Sequence, residues 1–201
     1  MRYLLISCAL LLLSCGSYPK SIRMSESANA QSEISNPYFS ETKLDYVYKA
    51  DITFYRRHFS GLFIVKKMAE NHHRLVFTTE MGNTLFDFSF NGMNFTVNSI
   101  NERLDKKMVI ALLRNDFQIM MTEHPPKMKT FSLGDQNIFK SDIDHRTLYY
   151  FYSEGQLNKI IRTKGRKEKV VFNFSEIVDG NAKIIQILHK NLQLFIRLKA
   201  I

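Results

Sequence analysis

From Leu44 onward, apolar and polar residues alternate in runs rich in Phe, Tyr, Val, Ile and Thr, and this period of two constrains the fold more than any other feature. Leu44 to Phe54 opens the series with Tyr46, Tyr48, Ile52 and Phe54. Phe59 to Lys67, Arg74 to Glu80 and Thr84 to Phe90 follow, with Gly61 marking a bulge or a close backbone approach. Asn91-Gly92 then supplies a strong hairpin signal before Met93 to Asn98. The order predicts an antiparallel meander.

The period changes after Asn98. Ser99 to Glu102 has the form of a capping box, and Leu104, Met108, Ala111, Leu112, Asn115 and Ile119 recur at helical spacing. One amphipathic helix, or two short ones, is predicted there, stopped by Pro125 and Pro126. The stretch to Asp144 reads as a long irregular connection. Strand patterns return at Thr147 to Ser153, Leu157 to Arg162, Val170 to Phe174, Ala182 to His189 and Leu192 to Leu198. The fold class is therefore mainly β with some α. About ten antiparallel strands should curl into an incomplete barrel covered by short helices.

The N-terminus carries a different message. A positive charge at Arg2 precedes an apolar run from Tyr3 to Leu13, which has the length of a secretory signal and is too short to span a bilayer. Leu12-Leu13-Ser14-Cys15 follows directly and resembles the lipobox of bacterial lipoproteins. The resemblance implies cleavage before Cys15 and acylation of that residue, leaving 1–14 as a signal peptide. Each buried acyl methylene adds ~0.8 kcal/mol of membrane affinity, so several chains anchor the protein without any protein contact. Residues 15–43 are Ser, Asn, Glu and Lys rich and read as a flexible tether to a single domain, 44–201. Gly16 and Ser17 lack the aspartate that resembles an inner-membrane retention signal, which points to the outer membrane and its periplasmic face.

Of the two cysteines, Cys8 lies in the removed segment and Cys15 becomes the lipid-bearing residue, so the domain has no thiol for a disulfide or a thiolate metal site. The net charge of +9 favours anionic head groups or other acidic partners. Export argues against nucleic acid. No GxSxG nucleophile elbow and no Gly-rich phosphate loop is present, so the chain does not read as an enzyme. The six histidines, and Asp142 and Asp144 beside His145, show no ligand spacing and read as surface or edge residues, with neither metal nor cofactor implied.

Ser60-Gly-Leu-Phe-Ile-Val65, Glu80-Met-Gly-Asn-Thr-Leu-Phe-Asp-Phe88, the Asn-Gly hairpin and Ile110-Ala-Leu-Leu113, in that order, resemble the lipoprotein-localisation proteins of the LolA and LolB type, LolB most closely. The resemblance implies a curved antiparallel sheet under helices. It also implies a loop whose apolar tip inserts in the membrane, here Met81 with Gly82, although the family's preceding proline is absent and the chain has no Trp. Such a protein binds an acyl chain or other apolar ligand, exchanges it with a periplasmic carrier protein and transfers lipoprotein or lipid to the outer membrane.

The residues themselves leave two arrangements open. In one, Phe63, Val65, Phe77, Phe86, Phe88, Phe95, Leu112, Tyr150 and Phe172 line a ligand cavity in the half-barrel. In the other they are ordinary core, and the domain is a non-catalytic envelope scaffold. The basic hairpin of Arg162, Lys164, Arg166 and Lys167 is a candidate contact for lipid head groups, or simply a solvated turn, as are Lys106 and Lys107 on the helix.

Overall fold

The computed structural model describes residues 17–27 and 33–201; the predicted signal segment and Cys15 lie outside the described residues. A short helix α1 (Tyr18–Ser21) and strand β1 (Ser25–Glu26) come first. Five strands follow: β2 (Asp45–Phe54), β3 (Arg57–Ala69), β4 (His72–Thr78), β5 (Thr84–Asn91) and β6 (Asn94–Ile100). Helix α2 (Lys107–Met121) leads into β7 (Lys129–Leu133), β8 (Gln136–Ile143), β9 (Arg146–Ser153), β10 (Gln156–Lys164), β11 (Lys167–Val178), β12 (Asn181–His189) and β13 (Leu194–Ala200).

All 13 strands belong to one antiparallel sheet, ordered β1-β7-β8-β9-β10-β11-β12-β13-β2-β3-β4-β5-β6. The pairing of β13 with β2, from Leu194 opposite Phe54 to Ala200 opposite Tyr48, joins the two meanders that α2 separates along the chain. The sheet is open, with β1 and β6 at its edges. Among the described residues no helix is long and apolar enough to cross a membrane.

Alternation sets the faces. Along β3, Gly61, Phe63 and Val65 are buried and the residues between them half-buried. The same inner face carries Leu75 and Phe77 of β4, Tyr150 of β9, Phe172 of β11 and Ile196 of β13. Against it lies α2, which buries Leu113, Phe117, Ile119, Met120 and Met121. The Phe117 ring sits 5.2 Å from that of Phe63 and 5.9 Å from that of Phe86. The helix therefore occupies the hollow of the curved sheet.

The stretch predicted as a flexible tether is corrected for the described residues. Tyr18, Ile22 and Met24 cover the outer face of the sheet over Phe131, Ile138, Tyr149, Phe151, Ile161 and Val171, and the Tyr18 hydroxyl donates to Glu168 at 2.7 Å. This second core explains why β9 reads Leu-Tyr-Tyr-Phe-Tyr without a polar break: both of its faces are buried. Ile34, Tyr38 and Phe39 enter the main core, and Asn36 closes the end of α2 by donating from Nδ2 to the carbonyls of Met120 and Thr122. Six large apolar side chains and one cap suffice to hold a stretch whose average composition is polar.

Three further expectations shift. The predicted irregular connection contains the hairpin β7–β8, turning at Gly134 with φ +56°. Ser99 is no helix cap but a β6 residue opposite Asp87. The chain turns instead at Asn101, whose carbonyl accepts the Leu104 and Asp105 amides, and α2 begins six residues beyond it. Asn91 pairs with Asn94, so the hairpin turn is made by Gly92 and Met93, with Gly92 at φ +57°.

Candidate functional site

The start of α2 and the loop before it lean against the hairpin end of β2 and β3. Ile52, Phe54 and Phe59 from that hairpin meet Leu104, Val109, Leu112 and Leu113, with Phe77, Phe86 and Leu194 beneath. Together they enclose an apolar throat of ≈ 20 Å³. That is about the space of one water molecule. The throat continues outward, through the shared walls Phe54, Phe59, Leu104 and Val109, into a cleft of ≈ 610 Å³. A cleft of this volume falls within the roughly 300–1,000 Å³ of small-molecule sites.

Four cations line that cleft, Arg56 and Arg57 from the β2–β3 turn and Arg103 and Lys106 from the loop before α2, with Tyr55 and Gln193 completing the wall. Among the described residues no acidic one lines it. All four cations are exposed. The Arg57 guanidinium donates to the Arg103 carbonyl at 3.4 Å, which ties the two segments together. The turn is held from the other side by the Tyr55 amide, bonded to the Gln193 carbonyl at 2.7 Å. An apolar floor under a cationic rim can take up a hydrocarbon chain and meet a negative group at its end.

The structure divides the nine predicted cavity residues. Phe77, Phe86 and Leu112 line the throat. Phe63, Val65, Phe88, Tyr150 and Phe172 are corrected to packing residues: each is fully buried in the main core and lines none of the described cavities. Phe95 is half-buried on the edge strand β6, touching Phe88 and Phe90 beneath the Arg114 guanidinium.

The basic hairpin divides as well. Lys164, Arg166 and Lys167 are exposed around the β10–β11 turn. Arg162 is corrected: it is half-buried, in line with His189 across β11 and facing the charge of Asp116 on α2. Met81 stands 91% exposed at the tip of the β4–β5 turn, where Gly82 takes φ +82° and Thr79 and Asn83 close the loop. Cys15 lies outside the described residues.

Two histidines predicted at the surface are buried. His73 sits 3.0 Å from the Phe39 carbonyl and 3.6 Å from Glu123, which Lys67 also pairs at 2.8 Å. His189 contacts Asp116. Burial pushes the Asp116 carboxyl up, against the opposing pull of His189, Arg162 and Arg146.

Sequence reasoning named one rim cation, Lys106, as a head-group candidate on the helix, which begins one residue later, and missed the rim as a whole. Its signal was available in the doublet Arg56-Arg57 following Phe54-Tyr55 at a strand end, but Arg103 and Lys106 join it only through the folded loop. No protein-family model matches the chain, and no curated protein matches it. Among solved structures, a DUF1329 family protein from Desulfovibrio piger is similar at 9% identity and a TM-score of 0.42, over 78% of this chain and 83% of that one.

Proposed function

We propose that this protein is a membrane-anchored lipoprotein that binds an acyl chain or another apolar ligand without chemical conversion, at the cleft between the β2–β3 hairpin and the start of α2. The observation that carries the reading is the continuity of a wholly apolar throat with a wide cleft under a cationic rim. Burial of hydrocarbon supplies the affinity, at about 25 cal/mol per Å². Because the throat is narrow, a chain lies mainly in the cleft and enters deeper only as Phe59, Leu104 and Val109 yield.

The anchor in this reading is acylated Cys15, in the outer membrane and facing the periplasm, with Met81 dipping into the lipid. The likeness of Ser60–Val65 and Glu80–Phe88 to the LolA and LolB type supports exchange of lipoprotein or lipid with a periplasmic carrier protein. Native mass spectrometry with lipid extraction, on protein purified from a periplasmic preparation, tests it. A co-purifying acylated molecule is expected; a bare mass together with no binding of an acyl probe overturns the reading.

One observation favours a second reading. Helix α2 fills the hollow of the sheet, with Phe117 fully buried among Phe63 and Phe86. A filled half-barrel suits an envelope scaffold that contacts a protein partner through its surface. Capture of a defined partner by protein free of lipid distinguishes it.

A further inference from the structure

We infer that the cleft selects amphiphiles whose head is a phosphate group, an inference that rests on the proposed binding of an apolar chain there and adds what recognises its polar end. Arg56, Arg57, Arg103 and Lys106 line the cleft at the mouth of a throat whose lining residues are all apolar. A neighbouring groove of ≈ 360 Å³ is lined by Arg57, His58, Phe59 and Arg103, so positive charge continues around the rim.

None of the nearby carboxylates lines the cleft. Asp51 pairs with His58 at 3.5 Å, and Glu102 and Asp105, on the same loop, are exposed and outside the lining. The cleft lining carries four cations and, among the described residues, no carboxylate, so an anion that enters it meets net positive charge. Guanidinium groups present forked N–H donors that match phosphate oxygens in pairs, a geometry an ammonium lacks. With three of the four rim cations being arginine, the rim fits a phosphate better than a lone negative point.

The exposed lysines of the β10–β11 turn differ in one respect that matters: no apolar opening lies beneath Lys164 and Lys167 among the described cavities. Charge alone attracts an anion, whereas charge at the mouth of an apolar throat discriminates a phosphate that carries a chain from one that does not.

Calorimetric titration of the full chain with dodecyl phosphate, uncharged dodecyl maltoside and inorganic phosphate, each below micelle formation, tests the inference. Dodecyl phosphate should bind roughly tenfold or more tighter than dodecyl maltoside, each rim cation contributing on the order of a few-fold. Inorganic phosphate should bind far more weakly than either. The double variant Arg56→Gln/Arg103→Gln should lose the preference while keeping its affinity for dodecyl maltoside, which also reports that it is folded. Equal affinity for the two amphiphiles overturns the phosphate inference and leaves chain binding standing. Inorganic phosphate binding as tightly as dodecyl phosphate overturns it too, by making the chain irrelevant. If neither amphiphile binds, the proposed function falls with it.

Discussion

His189 Nε2 lies 2.6 Å from Asp116 Oδ2, and with side-chain exposures of 0% and 1% this pair fastens α2 to β12 inside the main core. Among the described residues neither Asp116 Oδ1 nor His189 Nδ1 has a hydrogen-bond partner, and Arg162 and Arg146 add positive charge toward Asp116. Asp116→Ala removes the negative member of this group and should cost about 3–5 kcal/mol of stability. His189→Ala should cost less, because the arginines still face the carboxylate. Urea unfolding followed by circular dichroism checks both the size and the order.

Gly61 permits a close approach of β3 and β4. A Cβ built there would stand 1.8 Å from the Thr78 carbonyl oxygen and 2.9 Å from the Thr79 Cα, both backbone atoms that cannot swing aside. Gly61→Ala should therefore destabilise the protein by about 3 kcal/mol, the upper part of the overpacking range. The same denaturation experiment reads it.

His73 predicts a pH dependence. Burial pulls its imidazole below its ordinary value, helped by Lys67 and His72 and opposed by the Phe39 carbonyl and Glu123. The unfolded chain takes up this proton near pH 6.5 while the folded chain still resists it. Between those two values the unfolded state binds more protons, so stability falls as pH drops below about 6.5. His73→Gln should flatten that part of the stability curve. Asp87 acts in a separate, more acidic window: the Arg74 hydrogen bonds hold its carboxyl below the usual carboxylate range, so its contribution is present above about pH 3.9 and lost as pH falls further.

Met81 touches no core. Met81→Asp should change stability by no more than about 0.5 kcal/mol. In a chain whose anchor is removed by Cys15→Ser, the same substitution should lower binding to phospholipid vesicles in a flotation assay. Unchanged flotation removes Met81 from the account of membrane contact.

Strands were legible wherever one face is apolar and the other wet, as in β3 and β4, and β9 was legible because two buried faces make it apolar throughout. The β7–β8 hairpin was not. Its inner face buries Thr130 and Ser141, and its outer face is completed by Tyr18, more than a hundred residues earlier. Local patterning cannot report a partner so distant. The segment from Glu33 to Thr42 was hidden for the same reason, since Ile34 and the Tyr38-Phe39 pair stand among polar neighbours and become core only when distant strands such as β2, β4 and β11 meet them. The candidate site was half legible: Phe77, Phe86 and Leu112 were identifiable as inward-facing residues, whereas the convergence of Arg56, Arg57, Arg103 and Lys106 is a product of the fold.

Uptake of an apolar chain by the cleft is the central claim. Methyl-resolved NMR of protein labelled at Ile, Leu and Val, titrated with dodecanoate, measures this without any substitution. Shifts concentrated at Ile52, Leu104, Val109, Leu112, Leu113 and Leu194 are predicted, with the buried methyls of Val65 and Ile187 unmoved. No shift at saturating ligand, or shifts spread over the far core, would contradict it.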